Sequence, residues 1–199
     1  MNPFAPIRLQ DDYVVLEPLS LDHAPALEAA AADGELWNLA VTSVPPPGQA
    51  RGYVEKALQG QAEGHMLPFA VREAGSGEIV GSTRYYEIDA ALPRLAIGYT
   101  WYAKRWQRTY LNTACKRLLL EHAFETLDCV AVAFHADEHN EDSLRAIERL
   151  GAQREGVLRA HKRRTDGRLR NTVCFSILAE EWPNVGNWLG MRLNRLAAP

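Results

Sequence analysis

The chain has no apolar run approaching the length of a bilayer span, so it does not read as a helical membrane protein. Its opening residues, Met1-Asn2-Pro3-Phe4-Ala5-Pro6-Ile7-Arg8-Leu9, lack a basic stretch followed by an apolar one, and no secretory signal is expected. Cysteine is scarce. Cys115, Cys129 and Cys174 are odd in number and far apart, which excludes a disulfide framework and a CxxC pair; reduced thiols in a cytoplasmic protein are expected. No Gly-x-Gly-x-x-Gly, P-loop or Gly-x-Ser-x-Gly motif occurs, so dinucleotide, Walker-type nucleotide and serine-hydrolase chemistry find no support. His135 and His139 are four apart, but Val130-Ala131-Val132-Ala133-Phe134 before them reads as strand, so helical metal ligation is unsupported and no metal is expected. The net charge of −3 shows no strong bias of one sign. It conceals an acidic stretch up to Gly60 and a basic one over Arg154–Arg195, which suits an anionic partner or a merely solvated face.

What remains is an ordinary globular composition, 47% hydrophobic and 24% charged over 199 residues, enough for one domain with a real core. Tyr13–Leu19 reads as a first strand, Ser20–Ala31 as a capped helix, and residues 49–61 as a second helix after the Pro45-Pro46-Pro47-Gly48 break. Met66–Arg72 and Glu78–Asp89 form a hairpin across Ala74–Glu78, and Arg94–Tyr102 is the next strand. A helix over Asn112–Thr126 leads to a buried strand, Cys129–Ala136. A short helix, Glu141–Leu150, stops at Gly151, and two strands, Gln153–Arg159 and Arg170–Leu178, turn through Asp166-Gly167. No repeat or linker divides the chain. Residues 10–183 are expected as a single domain and 184–199 as a helical tail, in an α+β (α/β mixed sheet) class with a central mixed sheet flanked by helices.

The stretch Arg105-Trp106-Gln107-Arg108-Thr109-Tyr110-Leu111-Asn112-Thr113 connects a strand end to the start of the longest helix, where unpaired N–H groups and the helix dipole favour an anion. Four local sequences in this order resemble the GNAT acyltransferase superfamily and its RimJ/RimL-type N-acetyltransferase branch: Ile97-Gly98-Tyr99-Thr100-Trp101; Trp106–Thr109 running into Asn112–Leu120; Asn140–Ser143 running into Glu148–Ala152; and Glu155–Arg159 followed by Asp166–Arg168.

The resemblance implies the acyl-CoA N-acyltransferase fold and acetyl-CoA as co-substrate. The loop would cradle pyrophosphate through Arg105, Arg108, Thr109, Tyr110, Asn112 and Thr113, although Arg108 and Tyr110 fall where the family has glycines. Thr100, Trp101 and Tyr102 would meet the pantetheine arm, joined by Asn140 and Ser143. Ile147 stands where many relatives carry a tyrosine, so the proton for the thiolate would come from Ser143, from a tyrosine elsewhere such as Tyr102, or from water. Glu87 and His135 are the candidate bases; Ala96 replaces a glutamate frequent in related sequences. Trp37, Tyr53 and Tyr85 are the candidate acceptor contacts, with Tyr85, Glu87 and Asp89 on one face by the period of two. Arg159, His161, Arg163 and Arg164 reach an acidic acceptor or simply solvate the last hairpin. The expected activity is acetyl transfer to a primary amine, on a protein N-terminus or a small molecule, by direct attack in a ternary complex. A catalytically weak CoA-binding sensor and an RNA-associated protein are the rivals. No membrane or nucleic-acid partner is expected, and a homodimer is allowed.

Overall fold

A computed structural model describes residues 4–39, 41, 43–164 and 166–197. The elements run β1 (Leu9–Gln10), β2 (Val14–Pro18), α1 (Ala24–Ala32), α2 (Ala50–Ala62), β3 (Met66–Glu73), β4 (Ile79–Asp89), β5 (Arg94–Tyr102), α3 (Leu111–Glu121), β6 (Ala131–Asp137), α4 (Glu141–Glu148), β7 (Gln153–Arg163), β8 (Leu169–Leu178) and α5 (Trp182–Leu196). Local chemistry sets several boundaries. The Ser20 N–H donates to Nδ1 of His23 (3.0 Å) ahead of α1, and Pro25 sits in its first turn. Asn140 Oδ1 accepts from the Ser143 N–H (3.1 Å) to cap α4, and Gly151, at φ 93°, ends the turn that follows it. The helix expected to reach Thr126 is α-helical only to Glu121; His122–Thr126 widens into a π-helical turn.

The eight strands lie in the order β1-β2-β3-β4-β5-β6-β8-β7. All neighbours are antiparallel except β5 and β6, which run parallel because α3 carries the chain across between them. Period-two alternation divides the side chains between two layers. One face of the sheet, with Tyr85, Ile97, Val132, Phe134 and Ala136, packs on α3, α4 and α5. The opposite face, with Tyr86, Ala96, Trp101 and Ala133, packs on α1 and α2. Residues 182–196 are not an appendage: Trp182, Val185, Leu189 and Leu193 of α5 are buried in the first of these clusters. Among the described residues, no helix is long and apolar enough to cross a membrane.

The feature that positions the site is a failure of pairing. β5 and β6 are registered only over Arg94–Ala96 and Ala131–Ala133, and beyond these residues the strands part. Two bulges bend the edge that parts. Ser82 lies opposite Trp101 but Arg84 opposite Gly98, so β5 carries an extra residue, with Tyr99 at φ 50°. Between Tyr86 and Asp89 the extra residue is in β4, with Glu87 at φ 51°.

Candidate active site

The parting strands open a cleft of about 1150 Å³ between the start of α3, the start of α4 and the ends of β5, β6 and β8. Because it passes between two strands, it joins the α3/α4 side of the sheet to the α1/α2 side. Nine Lys and Arg residues line it against three Asp and Glu, so it is cationic although the whole chain is not.

On the α3 side, Thr109 Oγ1 donates to the Trp106 carbonyl (2.8 Å) and accepts from the Leu111 N–H (3.2 Å), fixing the turn into the helix. The N–H groups of Arg108, Thr109 and Tyr110 have no partner among the described residues. Arg108 stands at φ 63°, the left-handed conformation a glycine would adopt there, and its exposed guanidinium lies 3.6 Å from Asp142 on α4. Tyr110, at φ −64°, needs no glycine. Tyr102 Oη donates to Asn112 Oδ1 (3.2 Å), and Asn140 and Ser143 face the loop from α4.

One turn beyond Asn112, Lys116 is 6% exposed and lines the same cleft. Its Nζ donates to Thr100 Oγ1 at 2.7 Å and lies 3.5 Å from Thr83 Oγ1; no carboxylate partners it among the described residues. Burial pushes its pKa down to about 8.

On the α1/α2 side, Tyr86 shares a 3.0 Å hydrogen bond with His135 Nδ1, which also lies 3.5 Å from Glu87 Oε2. Burial lowers the His135 pKa, with Glu87 opposing. Lys162 Nζ is 3.9 Å from the other Glu87 oxygen. The Tyr99 ring packs edge-on against Tyr86, centroids 5.2 Å apart.

Of the residues expected at the site, Thr100, Trp101, Tyr102, Arg108, Thr109, Asn112, Thr113, His135, Asn140 and Ser143 line the cleft, and Glu87 stands at its rim beside His135. The others lie elsewhere. Arg105 is committed to Asp33 (2.9 Å) and Glu78 (2.6 Å), pinning the loop to the end of α1 and the β3–β4 turn. Tyr110 donates to Glu73 (2.8 Å) and packs on Tyr13. Tyr85 is wholly buried and donates to the Leu119 carbonyl (2.5 Å); it is a core residue. It shares no face with Glu87, because the β4 bulge shifts the alternation by one and puts Tyr86 at the cleft instead. Tyr53 accepts from Trp101 Nε1 (3.1 Å), and Trp37 packs in the same cluster behind the cleft wall. Arg164 forms two 2.7 Å contacts with the buried Asp137, so it braces the β7–β8 hairpin.

Tyr86, Lys116, Arg84 and Arg170 were not singled out by the sequence. Only Lys116 left a signal there, as a cation i+4 from Asn112 and on the same side of α3.

Residues 14–153 match the acetyltransferase (GNAT) domain family. The p20 protein of Bacillus licheniformis, assigned as an N-acetyltransferase, is 24% identical over 175 residues, 87% of this chain and 97% of its own length. YdaF of Bacillus subtilis, assigned as a ribosomal N-acetyltransferase, is 34% identical over 113 residues, covering 55% and 61% of the two chains. The crystal structure of a T. thermophilus protein assigned as an acetyltransferase superposes with a TM-score of 0.83 at 37% identity, covering 95% of this chain and 98% of that one. Family match, relatives and the split parallel pair agree: the chain belongs to the GNAT acetyltransferase family of enzymes.

Proposed function

We propose that this enzyme transfers the acetyl group of acetyl-CoA to a primary amine by direct attack within a ternary complex. The observation that carries this reading is the split between β5 and β6, which connects a cationic helix start on one face to the Tyr86–His135–Glu87 group on the other. The unpaired N–H groups of Arg108–Tyr110, with the Arg108 guanidinium, suit a pyrophosphate. The edge of β5 beyond Ala96 is released from β6 and is free to pair with an extended pantetheine arm and to polarise a thioester carbonyl.

The acceptor amine comes from the α1/α2 side and must be neutral to attack. His135 Nδ1 shares its proton with Tyr86 and faces Glu87, which leaves Nε2 as the acceptor for the amine proton and Glu87 to offset the imidazolium. As the carbon–nitrogen bond forms, the carbon–sulfur bond breaks, and Ser143 relays a proton to the thiolate, giving up its own as it takes one from water in the open cleft. Holding the two reactants in one slot supplies much of the acceleration. An aqueous, cytoplasmic setting fits a reaction between two soluble substrates.

Thiol release from acetyl-CoA over a panel of amines tests the reading. Turnover is expected, with an acid limb below the ordinary histidine pKa of 6.5 that disappears in His135→Gln. Ser143→Ala is expected to lower kcat by at least about tenfold with little change in CoA affinity. Tight CoA binding without turnover on any amine would make this a binding protein instead.

A further inference from the structure

We propose that the acceptor amine carries a carboxylate, which Arg170 holds at the α1/α2-side mouth of the cleft. The inference rests on the acetyl-transfer reading and narrows its acceptor.

β8 runs antiparallel to β6 with His135 opposite Cys174 and Asp137 opposite Thr172. Arg170, two residues before Thr172, therefore leaves the sheet on the same face as His135. It lines the cleft and forms no ion pair among the described residues. Its Nε is buried without a hydrogen-bond partner, and so is Thr172 Oγ1 beside it on that face. Burial raises the Tyr86 pKa, and the Arg170 charge is close enough to oppose that shift. Of the acids on this side, Glu155 is exposed and acts on His135 only through its charge, and the two others are already engaged. Asp137 is held by both nitrogens of the Arg164 fork, and Glu87 is shared between His135 and Lys162.

A second guanidinium lies close behind. Arg84 is 3% exposed and sandwiched between the rings of Tyr53 (4.5 Å) and Tyr99 (4.6 Å). It has no carboxylate partner among the described residues; Nη1 reaches only Met66 Sδ (3.3 Å), and Nε has no partner. The two rings offset part of its desolvation. An unpaired buried charge nevertheless costs a large share of the stability a small domain can spare. Arg170, half-buried, lines the cleft and Arg84 does not, so Arg170 is the one of the two that an anion in the cleft can reach.

The face separates this anion from the phosphates of CoA. The α3 side has its own cations, Arg108 and Lys116, whereas Arg170 lines the cleft on the face that carries the candidate base. A carboxylate matches the planar guanidinium fork. The same cations disfavour an ammonium nearby, so a carboxylate-bearing amine would be drawn in by its acid group and lose its proton more readily once bound.

Matched acceptors test the proposal through acetyl-CoA thiol release: free amino acids against their amides, and short peptides with Asp against Asn after the first residue. In at least one arm, the carboxylate form is expected to have a kcat/KM higher by at least about tenfold, and the arm identifies whether the source is a free amino acid or an acidic peptide. Arg170→Gln is expected to erase that preference through the acceptor KM, with the acetyl-CoA KM unchanged within about twofold, and Arg170→Lys to restore part of it. Equal turnover of acids and amides overturns the acceptor class and leaves acetyl transfer standing. A rise confined to the acetyl-CoA KM assigns Arg170 to the CoA side and also overturns it. No turnover with any acceptor overturns both readings.

Discussion

Lys116 is charged where burial opposes charge, and this makes its contribution to stability depend on pH. Below about pH 8 the lysine is protonated in folded and unfolded chains alike, and the full cost of burying the ammonium is present. Between about 8 and the ordinary value of 10.5 the unfolded chain holds the proton more tightly, so stability rises with pH by on the order of 3 kcal/mol. Lys116→Met, which keeps the length of the side chain and removes the charge, is expected to be the more stable protein at pH 7 and to lose this rise. Urea titrations of both proteins at pH 7 and 10 measure the difference; parallel curves would mean that Lys116 does not titrate in this range. At Arg108 the backbone and the side chain oppose each other. Arg108→Gly relieves the left-handed strain and is expected to stabilise by up to about 1 kcal/mol, while CoA affinity falls several-fold at low salt and much less at high salt. Arg105→Ala is expected to leave CoA affinity nearly unchanged, because that guanidinium is already held by Asp33 and Glu78. Equilibrium binding across a salt series separates the two arginines.

At the scale of elements, the site depends on how β4 and β5 fit together. A Cβ on Gly81 would lie 2.0 Å from the Trp101 carbonyl oxygen, and strand backbone has no room to yield. Gly81→Ala is therefore expected to destabilise by about 3 kcal/mol or more, read from chemical denaturation. Gly98 differs: a Cβ there would meet Tyr86 Cε1 at 2.7 Å, a ring that can turn. Gly98→Ala is expected to move Tyr86 off His135 and lower kcat more than it lowers stability, which kinetics and melting curves on the same preparation would distinguish. These bulges also explain where the sequence was legible and where it was not. Hydrophobic period and turn residues located each long strand and helix within a few residues. A single inserted residue at Glu87 has no hydrophobic signature, yet it exchanged Tyr85 for Tyr86 at the cleft.

At the scale of the whole molecule, α5 closes the core that α3 shares with the sheet. The Trp182 ring stacks on Phe124 (5.6 Å), its Nε1 donates to Glu125 (2.8 Å), and Leu189 is wholly buried. Leu189→Ala is expected to cost about 3 kcal/mol, and removal of residues 184–199 to abolish cooperative unfolding, because the chain would expose the cluster around Leu119 and Leu120. A truncated chain with an unchanged thermal transition would contradict this. Residues 184–199 read as a tail in the sequence because amphipathic period says which face is apolar, not what covers it.

The sequence by itself determined the order and type of the elements and the anion-suited turn before α3. These depend on spacing, caps and turn residues that act within a few positions along the chain. Only the tertiary structure decided which cations in and around the cleft are left without a carboxylate. Arg105 and Arg164 are neutralised by carboxylates, whereas Arg84, Lys116 and Arg170 have none among the described residues. Pairing between a guanidinium and a carboxylate 27 or 72 residues away is set by where the strands part and how the bulges turn them, and no local pattern records that.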